Sequence, residues 1–193
     1  MNIEKIYDVL NSGGIVISPT DTVYGIMGDA LNDKVVRKIY DIKKRSYSKP
    51  LLLLMSNLDM ILEYTESLCS EEIKLFKSIL GVTIIVKKNE KISKLITADS
   101  DYVGIRIPDN KELIEIITKL NRPVVSTSCN ISDEDVITNV SLLDENLKSA
   151  VNYIEDGGDV NSLSSTIVKF DNKKLIILRD GKRCDKIKEI FDC

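Results

Sequence analysis

The stretch that most constrains this chain is Ser18 to Gly25, Ser-Pro-Thr-Asp-Thr-Val-Tyr-Gly. It follows an apolar run, Ile15 to Ile17, that reads as a buried strand. Pro19 has no amide donor and pushes Ser18 toward extended geometry, so the ladder is expected to stop there. Two threonines, an aspartate and a tyrosine then sit between Pro19 and Gly25. That places hydroxyls and a carboxylate at a strand end, where α/β folds put their ligands. The same residues also make a plain polar turn with Gly25 in the left-handed region, and the segment alone leaves both readings open.

Helical and strand patterns alternate around this stretch. Ile3, Ile6, Tyr7 and Leu10 recur at helical spacing, and Asn11 to Gly14 end that helix. Asn32 or Asp33 is placed to cap a second helix carrying Val35, Val36, Ile39 and Tyr40. Leu51 to Met55 reads as a buried strand. Leu58, Ile61 and Leu62 mark a short helix, and Ser70 a helix cap with Ile73, Phe76 and Ile79 facing inward. Strands are expected at Val82 to Val86, Tyr102 to Pro108, Pro123 to Val125 and Tyr153 to Glu155. A capping box formed by Asp109 and Glu112 opens a helix buried through Leu113, Ile116, Ile117 and Leu120. Leu143, Leu147 and Val151 mark a late helix. The runs Ser164 to Phe170 and Leu175 to Gly181, joined at Asp171 to Lys173, form a β-hairpin. Ile187, Ile190 and Phe191 close the chain on a helical face. The pattern predicts an α/β protein with a twisted, mixed, open sheet and helices packed on it.

What is absent narrows the chemistry. The 193 residues contain no histidine. That removes Ser-His-Asp and Cys-His nucleophile systems and the commonest metal ligand. Cys69, Cys129, Cys184 and Cys193 are far apart and form no C-x-x-C pair, so reduced thiols are expected rather than disulfides or a zinc site. No phosphate-binding glycine fingerprint of the Walker or dinucleotide type is present. The net charge of −3 argues against tight non-specific binding to nucleic acid but allows a local basic patch. No apolar run approaches a membrane span and the N-terminus has no signal-peptide pattern, so a cytoplasmic protein with no membrane partner is expected.

The remaining chemistry is carried by cations and hydroxyls. Lys43, Lys44, Arg45 and Lys49 crowd the segment before Pro50. A solvated helix end accounts for Lys43 and Lys44; Lys49, at the mouth of a strand, suits an acidic ligand or a phosphate group better. Arg106 lies on a strand where Val103, Ile105 and Ile107 alternate with Gly104 and Arg106, a position equally open to an exposed or salt-bridged arginine. Ser126 to Asn130 places hydroxyls, a thiol and an amide at the end of an apolar run, as a turn of this composition also would.

These segments together resemble the YrdC/Sua5 family of threonylcarbamoyl-AMP synthases. Pro19 to Gly25 is similar to the family signature, Lys43-x-Arg45 with Lys49-Pro50-Leu51 to its K-x-R…K-P-L element, and the Arg106 strand to its V-x-R-x-P strand. Ser126 to Asn130 resembles S-T-S-A-N, with Cys129 replacing alanine as a small packing residue. The final hairpin resembles the S-T-I-V and I-L-R-x-G strands. Two departures stand out: Leu80 to Thr83 lacks the prolines of P-G-P-x-T, and Ile131 to Val136 is unusually acidic.

The resemblance covers about residues 10–182 and implies a single YrdC-like domain over 1–193 with a concave basic face. The extra C-terminal domain of longer members is not expected. It further implies synthesis of L-threonylcarbamoyladenylate and pyrophosphate from L-threonine, bicarbonate and ATP, with Mg²⁺ carried on the nucleotide. The product would pass to a downstream tRNA-modifying threonylcarbamoyltransferase complex, with at most weak tRNA contact. By the same resemblance Lys43, Arg45, Ser128 and Asn130 form the catalytic tetrad. Thr22, Leu54, Arg106, Ser126 and Ser165 surround threonine. Arg45, Lys49, Tyr102, Ser128, Val136 and Arg179 take ATP. Asp21 and Tyr24 are expected to be structural. A non-catalytic RNA-binding module is the alternative. The carbamoyl-adenylate domain of hydrogenase maturation proteins is a weaker one, since their zinc-finger-like cysteines are missing.

Overall fold

The computed structural model describes residues 1–130 and 135–191. Residues 131–134, in the acidic loop, and 192–193, with Cys193, lie outside that description. Elements follow in chain order as α1 (Ile3–Asn11), β1 (Val16–Pro19), β2 (Tyr24–Asp29), α2 (Asp33–Ile42), β3 (Leu52–Leu54), α3 (Leu58–Tyr64) and α4 (Ser70–Ser78). Next come β4 (Thr83–Lys87), α5 (Lys94–Thr97), β5 (Tyr102–Arg106), α6 (Lys111–Leu120) and β6 (Val124–Ser128). The chain finishes with α7 (Glu145–Ala150), β7 (Tyr153–Ile154), β8 (Ile167–Asp171), β9 (Lys174–Arg179) and α8 (Cys184–Phe191).

All the described strands join one sheet in the order β7-β1-β2-β6-β3-β5-β4-β8-β9. The pairs β1/β7, β3/β5 and β4/β8 are parallel and the others antiparallel, so the sheet is mixed as its sequence pattern predicts. The chain order of the strands is thoroughly shuffled across the sheet. Neighbours in space therefore bring together hydroxyls and arginines far apart in the chain, as Thr22 and Arg106 are, 84 residues apart.

The core follows from strand alternation. Ile84 and Val86 of β4 and Val103 and Ile105 of β5 are buried on one face, while Thr83, Ile85, Gly104 and Arg106 take the other. α2 buries Val35, Val36, Ile39 and Tyr40 and packs against β2, and α1 packs against α6, β1 and β2. The final hairpin turns through Asn172 and Lys173, both left-handed at φ 47° and 66°. Two such residues form the turn whose twist matches paired strands.

Several local expectations shift. The polar segment after Pro19 is short, and Tyr24 begins β2, a strand that the pattern did not reveal. Gly25 is paired with Ser18 and Ser128 in extended backbone, not left-handed. It is glycine because a Cβ there would stand 3.1 Å from both Ser126 Oγ and Thr20 Cγ2. β6 also runs on through Ser126, Thr127 and Ser128, where a turn was equally open, because β2 supplies ladder partners for all three and β3 pairs Ser126 with Leu52. α4 is capped by Cys69 rather than Ser70, with Glu72 Oε2 accepting from the Cys69 amide at 2.8 Å. Leu75 and Phe76 are its buried residues, while Ile73 and Ile79 are half-buried. α6 is capped by Asn110, whose Oδ1 accepts from the Leu113 amide at 3.0 Å. Asp109, expected to cap that helix, pairs instead with Arg183.

Candidate functional site

A cavity of about 420 Å³ opens over the face of the sheet that carries Gly25, Leu52, Gly104, Ser126 and Ser128. Strand register builds its floor: Ile85 is level with Gly104, Gly104 with Leu52, and Leu52 with Ser126. Period-two alternation then turns Thr83, Arg106 and Ser128 to the same side. Arg45, Arg106 and Arg179 all line the cavity, with Thr20, Thr22, Ser126, Ser128 and Ser165. No carboxylate is among its described lining residues.

At one end the loop before β2 is tied internally. Thr20 Oγ1 donates to the Val23 carbonyl at 2.7 Å, accepts from the Thr22 amide at 3.1 Å and lies 3.1 Å from Thr22 Oγ1. Arg106 Nη1 donates to Thr22 Oγ1 at 2.9 Å. Behind it Asp21 Oδ1 stands 3.5 Å from Arg106 Nη2. Arg106 is only 3% exposed, and burial lowers its pKa from the usual arginine range. The Asp21 carboxylate opposes that shift, while Arg179 and Arg183 reinforce it. Tyr24 is a brace: its hydroxyl donates to the Gly158 carbonyl at 2.8 Å and accepts from the Gly157 amide at 2.9 Å.

At the other end Arg179 grips the segment that leads into β8. Its Nε and Nη2 donate to the Ser165 carbonyl at 3.1 and 2.8 Å, and Nη2 also reaches Ser165 Oγ at 3.2 Å. Ser165 Oγ in turn lies 2.8 Å from Thr83 Oγ1. Partial burial lowers the Arg179 pKa as well. Arg45 is held from its own loop, through Nε to the Lys49 carbonyl at 3.1 Å and Nη2 to the Pro50 carbonyl at 2.8 Å.

Lys43 is placed differently. It is buried beneath the Ser128–Asn130 turn and is not part of the cavity wall. Its ammonium donates to the Ser128 carbonyl, to the Asn130 carbonyl at 2.7 Å and to Asn130 Oδ1 at 3.0 Å. Ser128 Oγ donates to the same Oδ1 at 2.7 Å. Burial, reinforced by Arg45, pushes the Lys43 pKa down to about 8. Cys129, between these residues, is buried, and its thiol is pushed up to about 12, again by burial. It is a packing group, and Cys69, Cys129 and Cys184 are all free thiols.

The candidates read from the sequence thus separate. Thr22, Arg45, Tyr102, Arg106, Ser126, Ser128, Ser165 and Arg179 line one cavity. Lys43 and Asn130 stand behind it, holding Ser128. Lys49 is exposed, with its side chain outside the cavity wall. Leu54 is fully buried level with Arg106, and Leu52 rather than Leu54 lines the floor. Val136 is half-buried and off the wall. Thr20, Thr83 and Leu52 were missed. Alternation along β4 and β3 carried a signal for the last two, two positions from Ile85 and Leu54.

An open mixed sheet bearing an arginine- and hydroxyl-lined cavity, with no carboxylate among its described lining residues, defines an α/β protein whose site suits an anion. Residues 8–181 match the Sua5/YciO/YrdC family model, described as telomere recombination, and the chain belongs to that family. A protein of Methanocaldococcus jannaschii is 38% identical over 176 residues, 90% of this chain and 82% of the relative. The threonylcarbamoyl-AMP synthase of Aliivibrio fischeri is 27% identical over 184 residues, 93% of this chain and 99% of that one. The Pyrococcus abyssi Sua5 structure complexed with L-threonine superposes with a TM-score of 0.90 at 25% identity. It matches 97% of this chain, which spans 56% of that longer one.

Proposed function

We propose that this chain is a threonylcarbamoyl-AMP synthase, a nucleotidyltransferase that makes L-threonylcarbamoyladenylate from L-threonine, bicarbonate and ATP. The observation that carries the reading is the cavity's pair of arginine–hydroxyl stations, Arg106 with Thr22 and Arg179 with Ser165, facing one space with no carboxylate among its described lining residues. Two anionic groups, an amino-acid carboxylate and a polyphosphate, suit two such stations. The naming of the Aliivibrio fischeri relative and the threonine complex of the Pyrococcus abyssi neighbour support the same substrate.

In this reading the threonine amine and bicarbonate give a carbamate and water. A carbamate oxygen attacks the α-phosphorus of ATP, the bond to the β-phosphate oxygen breaks, and pyrophosphate leaves. The step needs alignment and neutralisation of spreading charge more than a protein base, and no histidine is required. Thr22, Arg106 and Ser126 hold threonine, with Ser165 between the two ligands and Leu54 packed behind. Arg45, Ser128 and Arg179 face the phosphates. Lys49 meets them from outside, Tyr102 stacks at the mouth and Val136 packs near it. Lys43 and Asn130 keep the Ser128 hydroxyl in place. Mg²⁺ fits only as an ion carried on the nucleotide, because the described wall offers hydroxyls and guanidinium groups but no carboxylate. When bound there it neutralises triphosphate charge. The product is a mixed anhydride, consumed by a tRNA-modifying threonylcarbamoyltransferase complex in the cytoplasm. Among the described residues no helix is long and apolar enough to cross a membrane.

The test is pyrophosphate release from ATP and bicarbonate with and without L-threonine. Release that depends on L-threonine, and less on serine or glycine, is expected. Bound nucleotide with no release under any amino acid would replace the synthase with a non-catalytic RNA-binding module.

A further inference from the structure

Arg183 belongs to none of the segments that carry the site, and it does not line the cavity. Its backbone is left-handed at φ 75°, a conformation that costs a non-glycine residue free energy and persists where surrounding contacts impose it. Those contacts are ionic. Its Nη2 pairs with Asp109, and its Nη1 stands 3.9 Å from Asp21 Oδ2, with the Arg183 side chain 12% exposed and the Asp21 side chain 1%. Space for this pair depends on Gly81, which turns at φ 79°. A Cβ there would come within 2.6 Å of both Arg183 Nη1 and Asp21 Oδ2. The residue before Arg183 grips the same loop. Lys182 Nζ donates to the Asp21 carbonyl at 2.6 Å, while the Lys182 amide donates to the Ser164 carbonyl at 2.9 Å.

Asp21 therefore sits between two guanidinium groups, one on each oxygen. It is 3.5 Å from Arg106 and 3.9 Å from Arg183, both beyond charge-assisted hydrogen-bond length. Among the described residues neither carboxylate oxygen accepts a hydrogen bond, and Arg106 Nε and Arg183 Nη1 donate none. A lone arginine beside a buried carboxylate closes on it in a two-pronged pair that occupies its donors. Here the second cation balances the first.

We propose that Arg183 is a positioning residue for substrate binding. It restrains the Asp21 carboxylate from closing on Arg106, so that Arg106 keeps donors for the substrate's carboxylate. The assignment rests on the reading that Arg106 receives the amino acid. Without Arg183 the Asp21 carboxylate is expected to move the short distance to Arg106 and compete with the incoming anion.

The experiment measures L-threonine binding by calorimetry and separate KM values for L-threonine and ATP, on Arg183→Gln, Asp21→Asn and the double variant. Arg183→Gln is expected to weaken L-threonine binding about tenfold, the worth of one charged hydrogen bond, with the ATP KM within about twofold of wild type. The double variant should recover most of that loss, because asparagine cannot compete as an anion. A merely structural Arg183 predicts the opposite, a double variant weaker than either single one. That result, or unchanged binding in Arg183→Gln, overturns the proposal. If Arg183→Gln does not fold, Asp21→Asn decides. Folded Asp21→Asn is expected to bind L-threonine within about threefold of wild type, and loss of binding would mean that the carboxylate is needed rather than restrained. Wild-type protein that binds ATP but no L-threonine overturns the reading of the site, and this inference with it.

Discussion

Lys43 shows how a single residue takes a role that its motif does not disclose. It is a cation in a basic segment, yet its ammonium is spent on two carbonyls and an amide beneath Ser128. Its pKa falls from the ordinary 10.5 to about 8 in the folded protein. Between those values the unfolded chain binds a proton that folded Lys43 has released, so stability contributed by this residue rises with pH across that window. Below about pH 8 the fold must keep a charged amine buried, and the contribution is at its lowest. Urea unfolding of wild type and Lys43→Met at pH 7.5 and pH 9.5 checks the sign. The wild type should gain on the order of 1 kcal/mol relative to the variant at the higher pH. An unchanged difference would mean that the three acceptors keep the ammonium charged throughout. Arg106 and Arg179, by contrast, are turned into the cavity by their strands.

At the scale of the element, the site depends on strands that carry the wrong residues for ordinary strands. β6 places serine, threonine and serine in a ladder, and β2 carries a glycine, its second residue, on the cavity floor. Neither reads as a strand from propensity, since serine and glycine are poor strand formers. Ladder pairing with the neighbouring strands overrides that preference. Gly25→Val is therefore expected to keep the ladder, because valine suits a strand, while its side chain enters the space beside Ser126 Oγ and Thr20 Cγ2. L-Threonine binding should fall by at least about tenfold with the thermal midpoint moving by only a few degrees, as calorimetry and thermal unfolding would report. Loss of folding instead would show that the ladder itself needs glycine. Helix ends tell a similar story. Asn2, Asn32, Asn57 and Asn110 each cap a helix, and at α6 the asparagine displaces the Asp109–Glu112 box because Asp109 is taken by Arg183.

For the whole molecule, the sheet is both core and site. Ile105 is fully buried in β5, paired with Ile84 on one side and Leu53 on the other, while the next residue, Arg106, faces the cavity. Ile105→Ala is expected to cost about 2–5 kcal/mol in denaturant unfolding and to loosen threonine binding with it. A variant as stable as wild type would mean that the core closes over the gap. The amino-acid order alone determined the alternation of elements, the apolar faces, the final hairpin and the family, because those rest on spacing within a few residues. Through the resemblance it also marked the arginines and most of the hydroxyls of the cavity wall, Arg45, Arg106 and Arg179 with Thr22, Ser126, Ser128 and Ser165. Tertiary structure alone decided which cations line the cavity and which stand behind its wall, as Arg45 and Lys43 show two positions apart. It decided the partners of Asp21 and Asp109 too, and the part played by Arg183. Those depend on strand register and on segments up to 162 residues apart in the chain, as Asp21 and Arg183 are, which no local pattern encodes.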